Sequence, residues 1–199
     1  MIKNIIFDMG NVLLAYTPNK YMKTITEDEV IIEVVLKELF YAKEWQDLDG
    51  GYITEEIAVA NASKRAPKYS KYIEKAMENW HSDLTPIEGM AEIISKLKEK
   101  GYKIYLLSNT SLRFFNYKDK VDIFKNFDGF IISAKEKLLK PDKAIFECIC
   151  NRYNLNKEEC IFIDDLKANI EGAESFGIKG HLFSEAEGLQ RYLEAENIL

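Results

Sequence analysis

Four short stretches of this chain bring a group able to do chemistry to the end of an apolar run or turn. They deliver Asp8, the pair Ser108-Asn109, Lys140, and the pair Asp164-Asp165. Ile5-Ile6-Phe7 leads into Asp8-Met9-Gly10-Asn11-Val12, and Ile104-Tyr105-Leu106-Leu107 leads into Ser108-Asn109-Thr110. Ile161-Phe162-Ile163 leads into the two acids, while Lys140 precedes Pro141. A carboxylate at the carboxyl end of a buried parallel strand lies where open α/β sheets hold their ligands. In chain order the groups are a nucleophile, a hydroxyl with neighbouring amides, a cation and paired acids. That set suits phosphoryl transfer, which depends mainly on positioning and charge neutralisation. Singly, each has a plain structural explanation, because Ser108, Asp164 or Asp165 could cap a following helix. Jointly those explanations fail: three acids and a lysine gathered at one sheet edge repel unless a cation holds them.

The elements that must position these groups follow from pattern. Residues 2–8 are too apolar for a one-sided sheet and predict a parallel strand covered on both faces. From residue 85 onward strands and helices alternate. A helix over 86–100 ends at Gly101 and is followed by a strand over 103–108. A helix near 111–125 precedes a short strand at Phe130-Ile131-Ile132. Pro141 opens a helix over 142–153, where its missing N–H is harmless. A strand over 160–164, a helix over 167–176 ending at Gly177, and a strand over 179–183 complete the series. The fold class is therefore α/β: a three-layer, Rossmann-like parallel sheet.

Residues 16–84 break this alternation. Thr26-Glu27-Asp28-Glu29 has capping-box spacing ahead of a helix reaching about 42. Thr54 precedes a second helix that carries Glu55 and Glu56 in its first turn, and a third runs near 69–81. No strand pattern lies among them. The reading is an all-helical cap over 16–84 inserted into a core formed by 1–15 and 85–199. Trp45-Gln46-Asp47-Leu48-Asp49-Gly50-Gly51-Tyr52 reads as a turn between two cap helices. Its aromatic and acidic residues could stack on and hydrogen-bond a sugar, but a turn with no substrate contact is the favoured reading.

Bulk composition narrows the function classes. A chain of 199 residues can bury a full core with room for an insertion. No apolar run is long enough to cross a bilayer, and Ile5-Ile6-Phe7 is too short for a signal-peptide core, so the expectation is a cytoplasmic protein without a membrane partner. A net charge of −6 argues against nucleic acid as a partner. It also means that any positive charge for an anionic ligand must come from specific groups. Cys148, Cys150 and Cys160 lack zinc-ligand spacing and read as free thiols. No feature of the sequence sets an oligomeric state.

The four stretches together resemble the haloacid dehalogenase-like hydrolase superfamily over nearly the whole chain. Asp8-Met9-Gly10-Asn11-Val12 is similar to its first motif, Ser108-Asn109 to the second, Lys140-Pro141 to the third and Asp164-Asp165 to the fourth. The DMGNV and DDxxxN patterns look most like the branch with a helical cap after strand one. That branch includes sugar-phosphate phosphatases such as glucose-1-phosphate phosphatase and the phosphatase domain of soluble epoxide hydrolases. The resemblance implies that Asp8 attacks phosphorus to give an aspartyl-phosphate. It implies that magnesium (Mg²⁺) is held by Asp8, the main-chain carbonyl of Gly10 and Asp165. Ser108 and the amides near Asn109 would bind the substrate phosphate, Lys140 would offset its charge, and Asp164 would orient Lys140. The implied substrate is a small phosphorylated metabolite, most plausibly a sugar phosphate.

Three departures qualify that picture. Most phosphatases of the family carry a second Asp two residues after the nucleophile as general acid and base, where this chain has Gly10. Lys137 stands where many relatives have Gly, and Asn169 stands where Asp is frequent. Gly10 leaves open a catalytically weak or inactive member that binds a phosphometabolite or a protein. Haloacid dehalogenation is a further alternative, but the Arg it needs soon after the first motif is missing, the first Arg being Arg65. Those enzymes also lack the metal-binding acid in the fourth motif, where this chain has Asp164-Asp165.

Overall fold

The computed structural model describes residues 1–199. The chain opens with β1 (Asn4–Phe7) and a two-residue strand, β2 (Leu14–Ala15). Five helices follow: α1 (Pro18–Ile25), α2 (Glu29–Val35), α3 (Lys43–Asp49), α4 (Glu55–Arg65) and α5 (Ser70–Asn79). β3 (Thr85–Pro86) pairs antiparallel with β2, returning the chain to where it left. The alternating part comprises α6 (Met90–Glu99), β4 (Lys103–Ser108), α7 (Phe114–Tyr117), β5 (Gly129–Ile132) and α8 (Ser133–Glu136). It continues with α9 (Lys143–Tyr153), β6 (Cys160–Asp164), α10 (Lys167–Phe176), β7 (Lys179–Leu182) and α11 (Ala186–Ala195).

Five strands form one parallel sheet in the order β5-β4-β1-β6-β7. Successive side chains of a strand point to opposite faces, so each strand feeds two cores. Ile5 and Phe7 pack with Ile104, Leu106, Ile161 and Ile163 on the face covered by α6 and α11. Ile6 packs with Leu107 and Phe162 on the face covered by α9 and α10. These three layers are the ones the apolar strand runs require. A third cluster, including Tyr21, Leu36, Phe40 and Trp80, is drawn entirely from α1 to the turn after α5. No helix is long and apolar enough to cross a membrane.

Register sets where the reactive groups emerge. Phe7 lies level with Leu106 on one side and Ile163 on the other. Asp8, Ser108 and Asp164 therefore leave the same edge, at the carboxyl ends of β1, β4 and β6.

Several local expectations change. Asp28, not Thr26, caps α2, accepting from the N–H groups of Val30 and Ile31 at 2.9 and 3.3 Å. Thr26 instead accepts from the Asp28 N–H at 3.2 Å, one residue too early for a capping box. α2 runs on as a π-helical turn over Leu36–Phe40. Pro141 lies ahead of Asp142, the residue flanking α9, so it does not open that helix. The helix expected over 111–125 is only the short α7 and two 3₁₀ segments. The stretch 45–52 is mostly the end of α3 rather than a turn. Thr54 caps α4 as expected, at 3.4 Å from the Ile57 N–H, and Gly101 and Gly177 both take left-handed conformations.

Lys137 closes α8 with φ 56°, the left-handed region that residues with a Cβ adopt at a cost. Its side chain is exposed and contributes no packing that would repay this. Lys137→Gly is therefore expected to raise stability by about 1 kcal/mol, seen as a Tm increase of roughly 2–4 °C in a thermal melt. A lower Tm would show that the Lys137 stem contributes more than its backbone strain removes.

Candidate active site

β1 delivers Asp8 from a fixed backbone: its N–H donates to the Ile163 carbonyl at 2.9 Å. The chain then folds back sharply, with the Leu13 and Leu14 N–H groups both donating to the Met9 carbonyl at 2.9 Å. Asn11 takes a left-handed conformation in this turn and its Oδ1 accepts from the Tyr16 N–H at 3.0 Å. Asparagine tolerates that geometry better than most residues.

Lys140 is buried and its Nζ lies 2.7 Å from Asp8 Oδ1 and 2.7 Å from Asp164 Oδ2. The ammonium also sits 5.3 Å from the centroid of the Phe162 ring. Asn109 fixes the backbone behind it from two sides. Its Nδ2 donates to the Lys140 carbonyl at 3.0 Å and its Oδ1 accepts from the Lys140 N–H at 2.9 Å. The Asn109 side chain is thus committed to Lys140, which leaves its main-chain N–H for the expected phosphate contact. Asp164, fully buried, accepts from the Leu166 N–H at 2.8 Å and from Asn169 Nδ2 at 3.0 Å to each oxygen. Asn169 is a positioning residue that was noted in the sequence only as a departure. An Asp there could not donate.

The electrostatics follow from enclosure. Burial favours neutral Lys140, but Asp8 and Asp164 outweigh it and hold its pKa above the ordinary value. Burial raises Asp8 most, with Lys140 pulling it down and Asp164 pushing it up, to about 6. Asp165 is also raised, first by burial and then by the charge of Asp164. Carboxylate oxygens of Asp8, Asp164 and Asp165 all lie within 4.8 Å of one another. Three negative charges against one lysine leave a net −2 in this corner. Asp164 is already occupied by Lys140, Leu166 and Asn169, so Asp8 and Asp165 are the carboxylates with donor capacity to spare. Hard oxygen ligands with residual negative charge fit Mg²⁺.

These groups line one side of a cavity of about 300 Å³, together with Gly10, Ser108 and Thr110. Its other side is formed by the helical insertion through Tyr16, Trp45, Asp49 and Trp80. Trp45 stacks near Tyr16 at 6.3 Å and packs edge-on to Trp80 at 5.3 Å. The sequence reading favoured no contact for 45–52, yet the structure puts Trp45 and Asp49 at the cavity. Their i, i+4 spacing was the available signal, since it places both on one helix face. A larger cavity of about 530 Å³ lies outside, beside Thr54, Glu55 and Arg113. Its main charges are spent on each other, because Arg113 Nε donates to Glu55 Oε1 at 2.9 Å.

A family model described as haloacid dehalogenase-like hydrolase matches residues 2–177. The sesquiterpene phosphatase astK of Aspergillus oryzae is 25% identical over 179 residues, covering 89% of this chain and 88% of that protein. The drimenol cyclase drtB of Aspergillus calidoustus is 25% identical over 97% of this chain, which spans only 36% of that longer protein. Among solved structures, a HAD family enzyme from Bacteroides thetaiotaomicron, bt-2542, in complex with magnesium and inorganic phosphate, superposes with a TM-score of 0.72. It is 24% identical, with 93% of this chain and 96% of that chain covered.

A proton on Asp8 competes with any divalent cation bound there. With its pKa at about 6, Mg²⁺ affinity measured by calorimetric titration is expected to be about tenfold weaker at pH 5 than at pH 7. Asp165→Asn is expected to abolish the binding heat at either pH. Equal affinity at both pH values would mean that Asp8 takes no part in holding the ion.

Proposed function

The chain belongs to the haloacid dehalogenase-like hydrolases, and from that premise we propose that it is a Mg²⁺-dependent phosphatase acting on a small phosphorylated metabolite through an aspartyl-phosphate on Asp8. The observation that carries this reading is the buried lysine held between two carboxylates, with a third acid beside them, at the open edge of a parallel sheet. No packing need explains such a cluster, and desolvated charges of one sign require a dedicated counter-charge.

Asp8 and Asp165, with the main-chain carbonyl of Gly10, would hold Mg²⁺. When bound, the ion supplies positive charge to the substrate phosphate and to the carboxylates. The chain's own residues do the rest. Ser108 and the main-chain amides after it bind phosphate oxygens, as hydroxyl and N–H donors at a strand end are suited to do. Lys140 fixes the Asp8 carboxylate and offsets the charge that builds up as its oxygen attacks phosphorus. Asn109 and Asp164 keep Lys140 in place.

On this reading the helical segment over 16–84 is a cap that supplies the leaving-group half of the cavity. At about 300 Å³, the space sits at the small end of ligand sites, which favours a compact ester. Aromatic faces at Tyr16, Trp45 and Trp80 accompany one carboxyl at Asp49. The Tyr16 hydroxyl is buried without a protein partner. Apolar ring faces with a few polar groups suit a sugar phosphate. Three free thiols, two of them buried, accord with a reducing, cytoplasmic setting.

The test is release of inorganic phosphate from a panel of phosphorylated metabolites, with Mg²⁺ and with excess chelator. Turnover is expected on sugar phosphates only in the presence of Mg²⁺. Asp8→Asn is expected to lower kcat on the order of 10³-fold or more and to prevent trapping of a phosphorylated chain by mass spectrometry. A parent rate no higher than that of Asp8→Asn on every ester would leave a binding protein in place of an enzyme.

A further inference from the structure

Resting on the phosphatase reading, we propose that Asp49, at the end of α3, is the general acid and base of the reaction, supplying from the helical insertion the side chain that Gly10 lacks. Three observations independent of titration carry this. First, nothing in the fold excludes a side chain at residue 10. A Cβ there would meet no atom within 4 Å, and Gly10 does not occupy the left-handed region. The missing group is therefore not a steric necessity, and the proton can be handled elsewhere.

Second, Asp49 lines the same cavity as Asp8 and Lys140 but approaches from the other side, where a leaving group would lie. It forms no ion pair, whereas its neighbour Asp47 is taken by Lys43 at 2.6 Å. Asp8 and Asp164 are likewise held by Lys140. Asp49 is thus the cavity acid from the insertion, and it stands outside every ion pair.

Third, its placement is rigid. The Asp49 carbonyl accepts a hydrogen bond from Ser133 Oγ, directly after β5. Two residues on, Gly51 has φ +67° and sits so close to α8 that a Cβ would fall 2.1 Å from the Ala134 carbonyl oxygen. Only glycine fits there. The end of α3 is therefore pressed onto the carboxyl edge of the sheet, which fixes Asp49 over the site. The groups facing its carboxyl are Asp8, Lys140, the Ser111 amide, Tyr16 and Tyr117. Burial first, then the charge of Asp8, pushes the carboxyl well above the usual range and favours the protonated form. A general acid needs that state at the start of the cycle.

The chemistry balances. As an Asp8 oxygen bonds to phosphorus, the bond from phosphorus to the ester oxygen breaks and the Asp49 proton passes to that oxygen, releasing the alcohol. Asp49 is then a carboxylate. It next takes a proton from water as the water oxygen bonds to phosphorus and the bond to Asp8 breaks, which frees phosphate and restores the starting state.

The test compares an alkyl phosphate, whose leaving oxygen needs a proton, with p-nitrophenyl phosphate, whose leaving anion does not. Asp49→Asn is expected to lower first-turnover alcohol release from the alkyl ester by about 10²–10⁴-fold. The nitrophenolate burst should change by less than tenfold. Gly10→Asp in the Asp49→Asn background is expected to restore much of the alkyl rate, a rescue that a merely structural role would not allow. Equal losses on both esters, or no loss on either, would overturn the assignment while the parent's activity kept the phosphatase reading intact. A parent inactive on both esters would instead remove the premise.

Discussion

One ammonium organises this site. Lys140 is buried between Asp8 and Asp164 at 2.7 Å from each, and its charge draws the Asp8 pKa down against the effect of burial. Desolvation of a charge costs several kcal/mol unless partners replace water, so each member needs further support. The support is visible. Asn109 clamps the lysine backbone, Asn169 and the Leu166 N–H satisfy Asp164, and the Phe162 ring lies beside the ammonium. Asp8 alone keeps an unmatched side, and that side opens to the cavity. A nucleophile must be held and yet left free in one direction.

The parallel sheet makes this arrangement possible with few residues. Asp8, Ser108, Lys140 and Asp164 are scattered over more than three-quarters of the chain, yet three of them follow adjacent strands in matched register. β1 is central because its residues are apolar on both faces, and centrality places Asp8 between the ends of β4 and β6. Lys140 comes from a loop instead of a strand end. It therefore needs the Asn109 clamp, a side-chain substitute for the ladder that fixes its partners.

What could be read from the chain beforehand divides along the same line. The sheet, its layers and the convergence of Asp8, Ser108, Lys140, Asp164 and Asp165 were legible, because strands declare themselves by continuous apolar runs and register follows from burial. The failures lie where tertiary contacts override local pattern. The segment 111–125 has helical composition and buries Phe114, Tyr117 and Phe124 at helical spacing, yet it folds as one short helix and two 3₁₀ turns. α1 and α11 went unread although each has an apolar face, α1 following a Pro at its first position. The paired glycines after Asp49 suggested a turn reaching back to Trp45. Gly51 instead marks close contact with Ala134, information that belongs to the packing partner and not to the segment itself. The Asn109 side-chain clamp on Lys140 was not foreseen beside the amides read as phosphate donors, since a bond to a residue 31 positions away leaves no local trace.

The cavity joins two surfaces built on different principles. Its phosphate side comes from strand ends and loops anchored in the sheet, so its charges are placed by a rigid ladder. Its other side comes from a helical segment with a core of its own, from Tyr21 to Trp80. Such a segment can change its lining residues without disturbing Asp8 or Lys140. The contacts between Ser133 and Asp49, and between Ala134 and Gly51, are therefore more than packing. They bind the end of α3 to the carboxyl edge of the sheet. A group carried by the helical segment can serve chemistry only if its distance from the nucleophile is closely held. A glycine two residues after Asp49 permits that close approach, because a Cβ there would meet the Ala134 carbonyl oxygen.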